Sequence, residues 1–253
     1  HYKDQTDIFF TCHEFSYNKI AEAYEPYLGL IRQMFHKYCS GTLEEFMEEC
    51  DVYKLQRPVF ESYFEKGFCE RTEQILIDEV EYEQERMRNS IVTMLQKLSE
   101  IRPVVIVLNR FQLASKSTMQ LSNSLLQVKN KNIGIVLGVN DVQSIPEFAH
   151  EEWDAICESM DDRNMVYHIG NAGRNMEPDV MDYYSDYESD DGYRKLNNLV
   201  YFLDFDQADH HLSKIERRIK FDNFTISEKK HYQLLLLQIM VSVLQRDIAK
   251  ALE

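Results

Sequence analysis

Three apolar, mostly β-branched or aromatic runs in this chain end in polar residues, and any chemistry would have to sit at those ends. His13-Glu14 closes the run Ile8-Phe9-Phe10-Thr11-Cys12. Asn109-Arg110 closes Val104-Val105-Ile106-Val107-Leu108, and Asn140-Asp141 closes the run 133–139. Short fully apolar runs separated by helix-length segments are the signature of strands buried on both faces, as in a parallel sheet with crossover helices. In an open α/β sheet, ligands bind outside the carboxyl ends of the strands. His13-Glu14 has the groups of an acid/base pair, although such a pair more commonly forms a hydrogen-bonded sheet edge.

Other constellations are weaker. His210-His211, with Asp204, Asp206 and Asp209 close by, has the groups of a metal site. Successive residues on a helix point apart, so the expected reading is a solvated face. The five cysteines, Cys12, Cys39, Cys50, Cys69 and Cys157, are scattered and form no CxxC pair. That pattern argues against a zinc site or a disulfide framework and for free thiols in a reducing compartment. The phosphate-cradling pattern GxxxxGK[ST] is missing, because none of the eight glycines has the required partners.

The elements that must position these residues can be read in order. Residues 8–12 predict a strand, and 20–35 a helix with Ile20, Tyr24, Tyr27, Leu28, Ile31 and Phe35 at three- and four-residue steps, Pro26 marking its first turn or a kink. Residues 43–52 predict a short helix and 56–63 a turn around Pro58. A long charged helix over 73–101 carries the stripe Ile91, Met94, Leu95 and Leu98. Strand 104–108, helix 115–128, strand 133–139, helix 148–160 and strand 165–169 follow. Residues 177–193 interleave acids with Tyr183, Tyr184, Tyr187 and Tyr193 and read as an acidic loop. Beyond Leu196 the pattern is helical, one amphipathic unit to Ile219 and another over 232–252, with Ser227 as the N-cap of the second.

The totals narrow the function. Apolar residues make up 44% of the 253, enough for a real core, while a net charge of −15 argues against a general nucleic-acid binder and against adsorption to anionic lipid. No apolar run reaches the length of a membrane span. His1 opens a few residues before a strand and Glu253 falls inside a helical pattern, so the chain reads as a segment of a longer polypeptide.

Residues 95–118 run from a helix through Arg102-Pro103 and an apolar strand into Phe111-Gln112-Leu113-Ala114-Ser115-Lys116-Ser117-Thr118. This resembles the second conserved block of the signal-transduction ATPases related to the AAA class, the STAND group. In that group the strand is followed by two acids, an apolar residue, Gln or His, Trp, Ala and Asp. Residues 133–140 resemble the group's sensor strand, and 9–35 its strand and Pro-Tyr helix downstream of the phosphate loop, so the resemblance covers 6–170. It implies a three-layer, mainly parallel sheet of the P-loop NTPase type with a C-terminal α-helical extension. It also implies ATP as cofactor, with Mg²⁺ only where acids come from elsewhere.

Where the group carries acids, this chain has Asn109, Arg110 and Ser115. Asparagine cannot neutralise a magnesium ion, and Arg110 is a cation where a cation must bind. With Asn140 at the sensor position, these residues are the expected remnants of a nucleotide site that has lost hydrolysis. Residues 232–253 resemble the first half of a tetratricopeptide-type repeat, which needs further units to bury its face.

The resulting expectation is a degenerate ATPase-like regulatory module of a multidomain, cytoplasmic, bacterial signalling protein. Residues 1–175 would form the α/β domain, 176–195 a linker and 196–253 the extension. Its partners would be neighbouring domains and proteins bound through the extension, without nucleic acid or membrane. One alternative is an active ATPase with its phosphate loop upstream and acids supplied by Glu14 or Asp141. Another is a nucleotide-free interaction scaffold.

Overall fold

The computed structural model describes residues 8–16, 19–69, 80–128, 130–139, 145, 147–161, 190–221 and 226–245. The apolar runs form β1 (Phe9–Glu14), β2 (Val104–Asn109) and β3 (Ile133–Gly138). They pair in parallel in the order β1-β2-β3, as the runs predict. Glu14 lies opposite Asn109, and Asn109 opposite Gly138, so the three carboxyl ends finish level. The predicted strand 165–169 and Asn140 lie outside the described residues.

Parallel neighbours need crossover connections, which helices supply. Between β1 and β2 lie α1 (Tyr27–Tyr38), α2 (Leu43–Glu49), α3 (Arg57–Lys66) and α4 (Val80–Ile101). Between β2 and β3 lie a 3-10 turn (Phe111–Leu113) and α5 (Lys116–Gln127). After β3 come a second 3-10 turn (Glu147–Ala149), α6 (His150–Asp161), α7 (Asp190–Tyr201), α8 (Phe205–Phe221) and α9 (Glu228–Leu244). The architecture is a mixed α/β fold in which a small parallel sheet is outnumbered by helices.

The stripe predicted on α4 is buried, with Met87 added to Ile91, Met94, Leu95 and Leu98. These residues share one core with Val104, Ile106 and Leu108 of β2 and with Leu28, Ile31 and Met34 of α1. The opposite sheet face carries Phe10, Val105, Val107 and Val136. Phe10 and Val136 remain 64% and 53% exposed, so the described residues supply no second covering layer there. Among the described residues the expected three-layer arrangement is therefore met on one face only.

Local chemistry explains several departures from the sequence reading. The first helix begins at Tyr27, not at Ile20, because the residue before a proline is pushed out of helical geometry and Tyr24 is left-handed at φ 55°. Pro58, read as a turn, instead occupies the first turn of α3, where its missing N–H costs nothing. That helix stops at Gly67, whose φ of 80° suits the left-handed cap and lets its N–H reach Tyr63 O at 2.7 Å. Of the segment read as an acidic loop, residues 177–189 lie outside the described residues, and Asp190 to Tyr193 are helical. The single unit expected over 196–219 is two helices, divided where Leu203 is left-handed at φ 65°. Ser227 caps α9 as predicted, accepting from the Lys230 N–H. No helix among the described residues is long and apolar enough to cross a membrane.

Candidate functional site at the carboxyl edge of the sheet

The three strand ends meet at one edge, and the structure brings the expected residues together there. Arg110 follows β2 in a left-handed turn, φ 54°, and its Nε lies 3.3 Å from Glu14 Oε1 at the end of β1. Both groups are substantially exposed, so the pair adds little stability. Its chemical consequence is larger, because the cation expected to interfere with magnesium instead answers Glu14, an alternative source of acid. Asn109 is exposed beside it and its Nδ2 donates to Cys12 Sγ at 3.8 Å. A Cβ placed on Gly138 would lie 2.8 Å from Asn109 Oδ1, so the glycine is what leaves room for that side chain.

Ser115, the third expected position, has a different task. It is fully buried and is the N-cap of α5, accepting from the Thr118 N–H. Its hydroxyl also donates to the Glu22 carbonyl at 3.0 Å. Ser117 Oγ accepts from the Tyr24 N–H at 3.2 Å, and Thr118 Oγ1 donates to the Glu25 carbonyl at 3.1 Å. The Ser-Lys-Ser-Thr run thus pins the β1–α1 loop over the sheet edge.

Two carboxylates sit in that pinned loop. Glu22 Oε2 accepts from Asn198 Nδ2 of α7 at 2.8 Å, and the Glu22 N–H donates to Glu25 Oε2 at 3.2 Å. Burial, reinforced by the Glu25 charge, pushes the Glu22 carboxyl up to about 7, against a smaller downward pull from Asn198 and Lys195. Asn198 Oδ1 in turn accepts from the Cys69 N–H at 2.8 Å, while Asn197 Nδ2 donates to Cys69 O at 2.6 Å. His13 Nε2 lies 3.5 Å from Glu25 Oε1. Burial and the nearby Lys19 lower the His13 pKa, so at neutral pH this is a contact with a neutral imidazole and not an ion pair. His13 thereby belongs to a packed polar edge, not to an acid/base pair with Glu14.

The extension meets the same edge through Asp204, which is 3% exposed. Its Oδ2 accepts from the Ser117 N–H at 3.0 Å and from Ser117 Oγ at 2.5 Å. The Gln207 N–H at the start of α8 also donates to it. One carboxylate therefore caps two helices, α5 and α8, whose positive ends converge on it. Burial pushes its pKa up and these hydrogen bonds pull it back down. Beside it, Lys116 Nζ lies 2.7 Å from Asp206 Oδ2. Phe202, the residue before the left-handed corner, packs its ring against Tyr24, Phe60 and Tyr63 at centroid distances of 6.2, 5.8 and 5.6 Å.

The histidine cluster corrects the expected solvated face. His211 is 5% exposed, its Nε2 lies 2.9 Å from Gln207 Nε2, and Asp204 is buried. Among the described residues no group of three or more His, Cys, Asp or Glu has the arrangement to hold a metal ion. All five cysteines are free thiols.

The sequence reading missed Glu22, Glu25, Ser117, Asn198 and the role of Asp204. Ser115 followed three residues later by Thr118 is a recognisable cap, but its reach to Glu22 and Glu25 is non-local. Comparison of the chain with family models, with curated proteins and with solved structures finds no match. Fold and edge geometry together define a mixed α/β unit whose strand ends are fastened to a helical extension.

Proposed function

We propose that this chain is a degenerate, ATPase-like regulatory module that couples neighbouring parts of a larger cytoplasmic signalling protein with little or no hydrolysis. One observation carries the coupling half of this reading. The α7–α8 corner is fastened to the carboxyl edge at three points, Asn198 on Glu22 and Cys69, Asp204 on Ser117, and Phe202 among Tyr24, Phe60 and Tyr63. A change at the strand ends must therefore be felt by the helices, and the reverse. The polar tip of β2 supports the non-hydrolysing half, because Asn109 and a Glu14-paired Arg110 present no free pair of acids for Mg²⁺. ATP is the ligand this edge would take, with Mg²⁺ held only by acids supplied from elsewhere, such as Asp141.

The test uses the intact protein that contains this segment. Phosphate release with Mg²⁺ and ATP is expected to match the buffer background, and turnover that Asn109→Ala abolishes would overturn the reading. Asn198→Ala is expected to raise amide exchange in the 19–26 loop. Unchanged exchange there would remove the coupling and leave the scaffold reading, which the exposed apolar face of α9 (Tyr232, Leu236, Ile239, Val243) favours.

A further inference from the structure

Two apolar stripes run along α9 on opposite faces. One is made by the buried Leu237 and Val241, with Leu234 and Leu244 packed against the same core. The other is Tyr232, Leu236, Ile239 and Val243, each 46–61% exposed, with the exposed Leu235 at its rim. With 3.6 residues to a turn, this second stripe fits within roughly 60° of arc, centred about 150° from the buried one, and is about 16 Å long. Its members are separated by four, three and four residues, the spacing of a two-stranded helical seam.

The kind of partner that fits this seam follows from its charge, symmetry and size. From His231 to Gln245 there is no Asp, Glu, Lys or Arg, in a chain with 43 acids and 28 bases. The positions that border the seam, Gln233, Leu235, Met240 and Ser242, are therefore uncharged. Charges at such positions select a foreign helix and keep identical helices apart. Two copies of net charge −15 repel each other, and here they can approach without a like-charge contact. The four-three-four spacing also reads the same from either end. An antiparallel second copy sets Tyr232 opposite Val243 and Leu236 opposite Ile239, a large residue on a small one and two of equal size. A parallel copy would stack tyrosine on tyrosine and valine on valine, overfilling one layer and leaving the other thin. Antiparallel helices also oppose their dipoles. The seam exposes roughly 450 Å² per copy, so pairing buries on the order of 900 Å², the range of a weak, concentration-dependent dimer. At low micromolar concentration the seam stays open.

We propose that α9 is a self-association surface on which two copies of this chain pair antiparallel, Tyr232 on the partner's Val243 and Leu236 on the partner's Ile239. Each body hangs from the opposite stripe of its own helix and so stands on the outer side of the pair. The inference goes beyond the coupling role proposed above and does not rest on it.

Sedimentation equilibrium of the intact protein from about 5 to 500 μM tests the pairing. The mass is expected to rise from one copy to two across that range. Leu236→Lys/Ile239→Lys, which sets like charges opposite each other at the centre of the seam, is expected to stay monomeric with its circular dichroism unchanged. Leu236→Ser, a milder second variant, is expected to move the midpoint at least tenfold higher in concentration. Val136→Thr, on the open face of the sheet, is expected to dimerise as the parent does. With p-benzoylphenylalanine at position 232, irradiation is expected to link that position to the segment around Val243 of an isotope-labelled second copy. The proposal is overturned by a protein that remains monomeric at about 500 μM, by a dimer that survives both seam variants, or by a dimer lost in Val136→Thr. It is equally overturned by links from position 232 to the same position of the second copy, which mean parallel pairing, or to its own copy alone, which mean that the chain covers its own seam.

Discussion

Glu22 shows how burial gives a single side chain a pH-dependent role. Held at about 7 in the fold, its carboxyl falls back toward 4.5 when the chain unfolds, so the folded state keeps a proton that the unfolded state releases. The stabilising contribution is fully present below the unfolded value and is lost as pH rises through the folded one. The groups facing it are Glu25 in its own loop, Asn198, Lys195 and Asp191 on α7, and Tyr63 and Cys69 from α3 and the turn after it. Glu22→Gln removes the titration while keeping an acceptor for Asn198. The variant is therefore expected to lose much of the wild-type decline in stability between about pH 5 and 7, a difference on the order of 2 kcal/mol. Urea unfolding midpoints of the two proteins across that range check it, and parallel profiles would refute the assignment.

At the scale of elements, α9 is the least settled. Leu237 and Val241 are buried on one side, whereas Tyr232, Leu235, Leu236, Ile239 and Val243 are exposed, so the helix is apolar nearly all round. Expecting an amphipathic helix here was wrong because the residues that would make a polar face are leucine, isoleucine and valine. Neighbouring leucines should thus behave very differently. Leu237→Ala is expected to cost about 2–4 kcal/mol through lost burial and a residual cavity. Leu236→Ala is expected to change stability by less than about 0.5 kcal/mol. Denaturant unfolding of the two variants separates them, and equal losses would mean that the exposed side is covered in solution. Two buried polar atoms, Gln207 Oε1 on α8 and Ser242 Oγ on α9, have no hydrogen-bond partner among the described residues.

For the whole molecule the decisive contact is Asp204, where the extension is tied to the sheet. Asp204→Ala leaves Ser117 N–H, Ser117 Oγ and Gln207 N–H without their shared acceptor in a dry site. A loss of about 2–4 kcal/mol is expected, with hydrogen exchange rising together at the starts of α5 and α8. Exchange that rises at α8 alone would show that the two helices are not held by one group. The sequence by itself determined the parallel strand runs, the buried stripe of α4, the Ser227 cap and the polar residues at the strand tips. These rest on local periodicity and local capping, which a linear reading contains. It also placed Asn109, Arg110 and Ser115 near one edge, because parallel strands joined by crossovers must end together. Tertiary structure alone decided that Arg110 answers Glu14, that Ser115 and Ser117 reach back to the 22–25 loop, and that Asp204 serves two helix ends. Apart from the local Asp204–Gln207 contact, those partners lie roughly ninety residues apart, and no period or motif records such a meeting.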